Sequence, residues 1–200
     1  MDDGTTDRLG TILAALLGAA AIATAFTAYQ GELKSGESIA AYNEGIRAVT
    51  EGGAALGVGF TKMVHDDQLF FEWRKADYNR QKEWARWIRV YMMDGNLRAG
   101  LREWERTGEE GPLTAIQSED YKVEAIDQAA AREERADTLF AEAAKADDEG
   151  DRYVLITVFL AVALFFFGLA GVLRVRRTRL AVTVIGVGIF ATSLAMLAAA

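Results

Sequence analysis

The sequence predicts an all-α membrane protein with three transmembrane helices, the first two extended as stalks into a helical hairpin or bundle outside the bilayer. Three observations carry this. The stretches Leu9 to Tyr29, Tyr153 to Leu173 and Leu180 to Ala200 each run 21 residues with no Asp, Glu, Lys, Arg or His. At about 1.5 Å per residue each can cross a hydrocarbon core of roughly 30 Å. Lipid offers backbone N–H and C=O groups no partner, so such spans satisfy them internally, as helices. Second, Arg174, Arg176, Arg177 and Arg179 crowd into the short turn between the last two stretches, and short Arg-rich loops stay cytoplasmic. Third, one proline and many Ala, Glu and Arg residues favour helix elsewhere.

Taken in order, residues 1–8 form a short polar N-terminus and residues 9–29 the first span. Ala21-Ile22-Ala23 and Ala23-Thr24-Ala25 resemble cleavage sites, but the preceding segment is acidic and the apolar run is long for a signal peptide, so an uncleaved span is expected. With residues 174–179 inside, the N-terminus is cytoplasmic and residues 30–152 lie outside. Tyr29 sits at the interface, and helical character continues through Ala40-Ala41-Tyr42 to Val49. Gly52, Gly53, Gly57 and Gly59 then interrupt good helix formers, each costing up to about 1 kcal/mol relative to Ala, and mark a bend or a close helix contact. A second helix is expected from about Asp66 to Met92, with Asp66 or Asp67 as N-cap and Asp94-Gly95-Asn96 ending it. Leu97 to Arg106 reads as a short helix presenting Leu97, Leu101 and Trp104 on one face, and Thr107 to Leu113 as a loop around Pro112.

From Ser118, a plausible N-cap followed by Glu119 and Asp120, the helical signal runs long, with an apolar stripe of Tyr121, Ile126, Ala129, Ala130, Ala136, Phe140 and Ala143. The acidic stretch Asp147 to Asp151 leads directly into the second span, residues 153–173. One helix with local weakness at Gly150 is expected there. The turn 174–179 and the third span 180–200 complete the chain.

The charge is uneven. Residues 30–152 carry 26 acidic and 17 basic side chains, a balance of −9, against four arginines in the turn. An acidic domain argues against nucleic acid, which needs Lys and Arg to displace counterions. The absence of cysteine rules out disulfides, Cys-ligated metal and thiol nucleophiles.

Chemistry-bearing candidates are few. His65-Asp66-Asp67 could contribute to a divalent-metal site, but consecutive helical residues point in different directions, and a helix start with capping carboxylates is the simpler account. Neither an HExxH motif, a nucleophile elbow nor a phosphate loop occurs, so no catalytic residue and no cofactor is assigned. The acidic pairs Glu109-Glu110 and Glu133-Glu134 lack calcium-loop spacing. The aromatic set including Trp73, Trp84, Trp87 and Trp104 reads first as core at helical spacing, with a ligand or interaction platform or a membrane-facing belt as the alternatives. The interleaved Arg74, Lys75, Arg80, Lys82, Arg86 and Arg89 form the one basic element of an acidic domain. Small residues recur on the spans, at Gly10, Ala14 and Gly18, at Gly168 and Gly171, and at Gly188, and such rows promote close helix association in lipid.

The motifs Ala23-Thr24-Ala25-Phe26-Thr27-Ala28-Tyr29-Gln30, Ser35-Gly36-Glu37, Ala41-Tyr42 and Thr50-Glu51-Gly52-Gly53 recur here with Asp151-Arg152-Tyr153-Val154-Leu155 opening the second span. Together they resemble a family of uncharacterised prokaryotic three-span membrane proteins with an extracytoplasmic helical domain. The resemblance covers most of the chain and implies an architecture without an activity. The chain departs from that pattern between Gly95 and Leu113, which looks shorter and more charged.

The functional expectation is a non-enzymatic plasma-membrane protein, a structural or accessory subunit that contacts its own copies or a membrane-protein partner. The alternatives are a small homo-oligomeric channel lined by Thr11, Thr24, Thr27, Thr157, Thr183, Thr192 or Ser193, and a membrane-tethered metal binder or enzyme using His65, Asp66 and Asp67. The spans hold no ionisable group of the kind that marks proton relays and ion paths.

Overall fold

A computed structural model describes residues 3–108 and 111–200, with side chains from residue 9 onward. The side chains of the polar N-terminus, Asp7 and Arg8 among them, and the pair Glu109-Glu110 therefore lie outside the described residues. Among the described residues every regular element is helical: α1 Asp3–Tyr78, α2 Lys82–Trp87 running into a π-helical turn Ile88–Met92, α3 Gly95–Thr107, a 3-10 turn Ala115–Gln117, α4 Glu124–Val172 and α5 Arg176–Ala198. The chain forms two compact units, Met1–Asn43 with Leu139–Ala200, and Glu44–Thr138.

The first unit contains three helical stretches long and apolar enough to cross a membrane, with mean hydropathy of 2.1, 2.6 and 2.2. Leu13 and Ala20 of α1 share a core with Ala163, Phe167 and Ala170 of α4, against which Val182, Ile189 and Phe190 of α5 pack. Between the same two helices Thr157 donates to the Thr27 hydroxyl at 2.8 Å, and Thr27 is fully buried. The faces turned away are apolar, with Ile22, Phe26, Val158, Phe165 and Val184 exposed. Such surface is unfavourable in water and suited to lipid. Beyond the spans Gly31 and Gly150 oppose each other, since a Cβ on Gly31 would lie 3.7 Å from the Gly150 carbonyl oxygen. Lys34 bridges Glu37 at 2.9 Å and Glu149 at 3.0 Å. Hydrogen bonds to Glu37 and then Glu149 hold its ammonium above the ordinary value, and Lys34 in turn holds Glu149 below its own.

In the second unit α1 and α4 pair through small residues. Gly52 and Gly59 face α4: a Cβ on Gly52 would lie 3.5 Å from the Ala129 carbonyl oxygen, and one on Gly59 would lie 2.7 Å from Ile126 Cγ1. Arg135 pairs with Glu44 at 2.7 Å and Arg132 with Glu51 at 3.6 Å along the flank. A larger core gathers at the other end of the unit, around Leu69, Phe70, Trp73, Ile88, Leu97, Leu101 and Tyr121.

The structure corrects several expected boundaries. No break interrupts α1 at Gly52 to Gly59; of the two expectations the close helix contact holds, at Gly52 and Gly59, and it offsets the intrinsic cost of glycine in a helix. Asp66 is therefore mid-helix rather than an N-cap, and the break falls at Asn79–Gln81, where Arg80 takes a left-handed backbone conformation with φ 58°. Asp94 opens the following helix, accepting from the Leu97 N–H at 2.8 Å. Ser118 does not cap α4, which begins at Glu124; its hydroxyl is spent on the Gly100 carbonyl and Glu103. The arginine turn is shorter than expected, since Arg176, Arg177 and Arg179 already belong to α5. α4 passes through Gly150 without interruption, and α3 carries Leu97 and Leu101 fully buried on one face, both as expected.

Candidate interaction surface

The helical head of the second unit is organised by a buried polar chain. Asp66, at 3% exposure, accepts from Lys62 at 2.6 Å and from the Tyr121 hydroxyl at 2.8 Å, both at Oδ2. Lys62 also donates to Asp94 at 2.6 Å. Three segments thus meet on one ammonium and one phenol. Burial depresses the Lys62 ammonium, but its hydrogen bonds to Asp66 and Asp94 outweigh that and hold it above its ordinary value. Burial likewise works to raise Asp94, yet the Leu97 N–H and Lys62 keep it below the usual carboxylate range. Burial first and the bond to Asp66 second push the Tyr121 phenol well up. A buried network of this kind fixes geometry when its members are satisfied, and each of these charges already has its partner.

A second polar tie folds the loop onto α3. Glu103 accepts from the Ser118 hydroxyl at 2.6 Å and the Asp120 N–H at 3.0 Å, and these bonds, Ser118 foremost, lower its pKa. Gly100 makes this possible, because any Cβ there would collide with the Ala115 carbonyl oxygen.

The four tryptophans divide. Trp73 is buried, and Phe70, Trp73 and Trp104 pack edge-on or tilted at ring separations of 5.3 to 6.2 Å, with the Arg74 guanidinium 4.4 Å over Trp104. Trp84 and Trp87 are 47% and 45% exposed, stacked at 5.1 Å with only 9° between ring planes, and Tyr91 continues the row at 6.0 Å. Short α2 and its π turn place them there, for Ala85 and Ile88 fill the core and leave the rings on the opposite side. Arg89 is held by a two-pronged pairing with Glu105 at 2.7 and 3.0 Å, which ties the turn to α3. Arg80, Lys82 and Arg86, neighbours of these tryptophans in the sequence, are exposed. Large aromatics next to arginines on a surface are the composition of protein-binding hot spots.

The remaining candidates are scattered. His65 is exposed while Asp66 turns inward, so the His65-Asp66-Asp67 set does not converge, and among the described residues no three His, Asp or Glu gather as a metal would require. Asp67 Oδ1 is buried without a hydrogen-bond partner. A Cβ built on Gly18, Gly168, Gly171 or Gly188 would meet nothing within 4 Å, and Ala14 is exposed, so these do not form the helix contacts of this chain. A Cβ on Gly10 would lie 4.0 Å from the Arg179 guanidinium, and the tight glycine of α5 is Gly186, whose Cβ would strike the Phe167 ring at 2.8 Å. Arg174, Arg176 and Arg177 are exposed, and Arg179 is half-buried. The hydroxyls of Thr24, Thr183, Thr192 and Ser193 donate to carbonyls one turn back.

The signal missed in the sequence is a seven-residue recurrence of small residues on α1: Ala41, Ala48 and Ala55 alternate with Gly45, Gly52 and Gly59. That spacing is the mark of a helix seam. Fold and surface define an all-α chain with three candidate spans and an aromatic-bearing head. Comparison with protein-family models, with curated proteins and with solved structures returned no match.

Proposed function

We propose that this chain is a non-enzymatic, multi-pass protein of the plasma (inner) membrane, an accessory or structural subunit whose head docks a membrane-protein partner. The observation that carries the reading is the exposed Trp84–Trp87 stack with Tyr91, on a head where Lys62, Asp66 and Asp94 are paired with one another. Residues 9–29, 153–173 and 180–200 serve as the spans. The N-terminus and the arginine turn 174–179 face the cytoplasm, and residues 30–152 face outward. The partner set is the lipid bilayer, copies of the chain and a membrane protein; nucleic acid is not among them. The resemblance to prokaryotic three-span proteins supports the same topology.

The test is cross-linking in native membranes followed by mass spectrometry, comparing the unaltered chain with a Trp84→Ala/Trp87→Ala variant. A defined membrane protein recovered with the former and reduced at least ten-fold with the latter supports the reading. An unchanged set of cross-linked proteins contradicts it.

A further inference from the structure

Helix α1 of the second unit has a second apolar stripe that the hairpin does not cover. Ile46, Val49, Leu56 and Phe60 are 44%, 51%, 37% and 55% exposed. Gly53 and Gly57 lie among them four residues apart, and a Cβ on either would meet nothing within 4 Å. We infer that this stripe, Ile46, Val49, Gly53, Leu56, Gly57 and Phe60, is a contact surface for the same stripe of a second copy of this chain, the two α1 helices running parallel.

Three observations single out a second copy. The apolar positions Ile46, Val49, Gly53, Leu56 and Phe60 follow alternating three- and four-residue steps, a pattern that meshes with itself when two helices run parallel. Copies anchored in one bilayer share that direction, so the inference rests on the membrane reading above. Charge points the same way. The chain carries a net −7, so most faces of two copies repel, yet between Ile46 and Phe60 the ionisable residues are only Arg47 and Glu51, and Glu51 is held by Arg132 on α4. The stripe positions themselves, Ile46, Val49, Gly53, Leu56, Gly57 and Phe60, carry no charge. Finally, Gly53 and Gly57 weaken an exposed helix without serving any contact inside the chain, whereas small residues four apart let a second helix backbone approach closely. Beside the stripe lies a groove of about 510 Å³ between α1 and α4, lined by Gly52, Leu56, Ala129 and Ala136 together with the carboxylates Glu133 and Asp137.

The chain has no cysteine, so single-cysteine variants report cleanly. Val49→Cys, Phe60→Cys and, as a control on the exposed face of α4, Glu134→Cys are made in the full chain and treated in membranes with a short bismaleimide. Val49→Cys and Phe60→Cys are expected to give at least ten-fold more cross-linked homodimer than Glu134→Cys. Mixed Val49→Cys and Phe60→Cys chains should give no heterodimer, since eleven residues separate the sites by about 16 Å along a helix. Helicity measured on each purified variant confirms folding, and if one variant fails it the other decides. Dimer yields at positions 49 and 60 no greater than at 134 overturn the proposal, as does cross-linking only to a different protein. Chains recovered in the carbonate-soluble fraction would instead sink the membrane reading, so the two failures are distinguishable.

Discussion

The Tyr121 phenol donates to Asp66 Oδ2 across 2.8 Å, tying the segment ahead of α4 to the middle of α1. Asp66 also holds Lys62, and Lys62 holds Asp94 at the start of α3. The position of the head elements therefore depends on one carboxylate. Tyr121→Phe removes one bond to a charged group and should cost about 1–3 kcal/mol. Asp66→Ala, which strips a partner from both Tyr121 and Lys62, should cost more, about 3 kcal/mol or above. Denaturant unfolding in detergent measures both. Equal stability of all three chains would show that the network contributes nothing.

The same network sets a pH window. Asp94 is held below its ordinary value in the folded chain, so its contribution is present above about pH 4 and is lost as pH falls through the depressed folded value. Lys62 and Tyr121 are both held above theirs, so their contributions are full below about pH 10 and fade as pH rises through the raised folded values. Thermal midpoints should be flat between these limits and fall outside them. In Tyr121→Phe the alkaline fall should be shallower.

Glycines on α1 and α3 should respond in opposite directions. Gly36 meets nothing within 4 Å, so Gly36→Ala should stabilise by up to about 1 kcal/mol through helix propensity. Gly100→Ala drives a methyl into the Ala115 carbonyl and should cost about 1–3 kcal/mol or more. Unfolding midpoints that move the same way for both would contradict the assigned contacts.

The exposed tryptophans should be separable from stability. Trp84→Ala and Trp87→Ala remove rings that are each nearly half exposed, so each should lower stability by less than Trp73→Ala, which empties a buried site and should cost about 3–5 kcal/mol. Intrinsic fluorescence should follow suit, with Trp84 and Trp87 quenched by added iodide and Trp73 protected.

The three helical stretches long and apolar enough to cross a membrane, the short α3 and the uninterrupted α4 were legible in the sequence because apolar length and helical periodicity are local properties. Continuity of α1 was not. Judged by propensity, Gly52, Gly53, Gly57 and Gly59 fit a bend or a close helix contact equally, and only the seven-residue recurrence separates Gly52 and Gly59, which belong to a seam, from the other two. Ser118 has the chemistry of a helix cap, but its partners, Gly100 and Glu103, are 18 and 15 residues away and become neighbours only on folding. Spacing placed all four tryptophans on helices without saying which side the core would occupy. Nor does spacing single out Gly186, which receives the Phe167 ring inside the chain, from Gly188, where a Cβ would meet nothing within 4 Å.

The central claim is that residues 30–152 lie outside the cell while the arginines at the start of α5 stay within. The direct measurement is labelling of Glu134→Cys and Arg177→Cys chains in intact cells with a membrane-impermeant maleimide. The account predicts that position 134 is labelled at once and position 177 only after permeabilisation. Labelling of position 177 in intact cells with position 134 protected would contradict it.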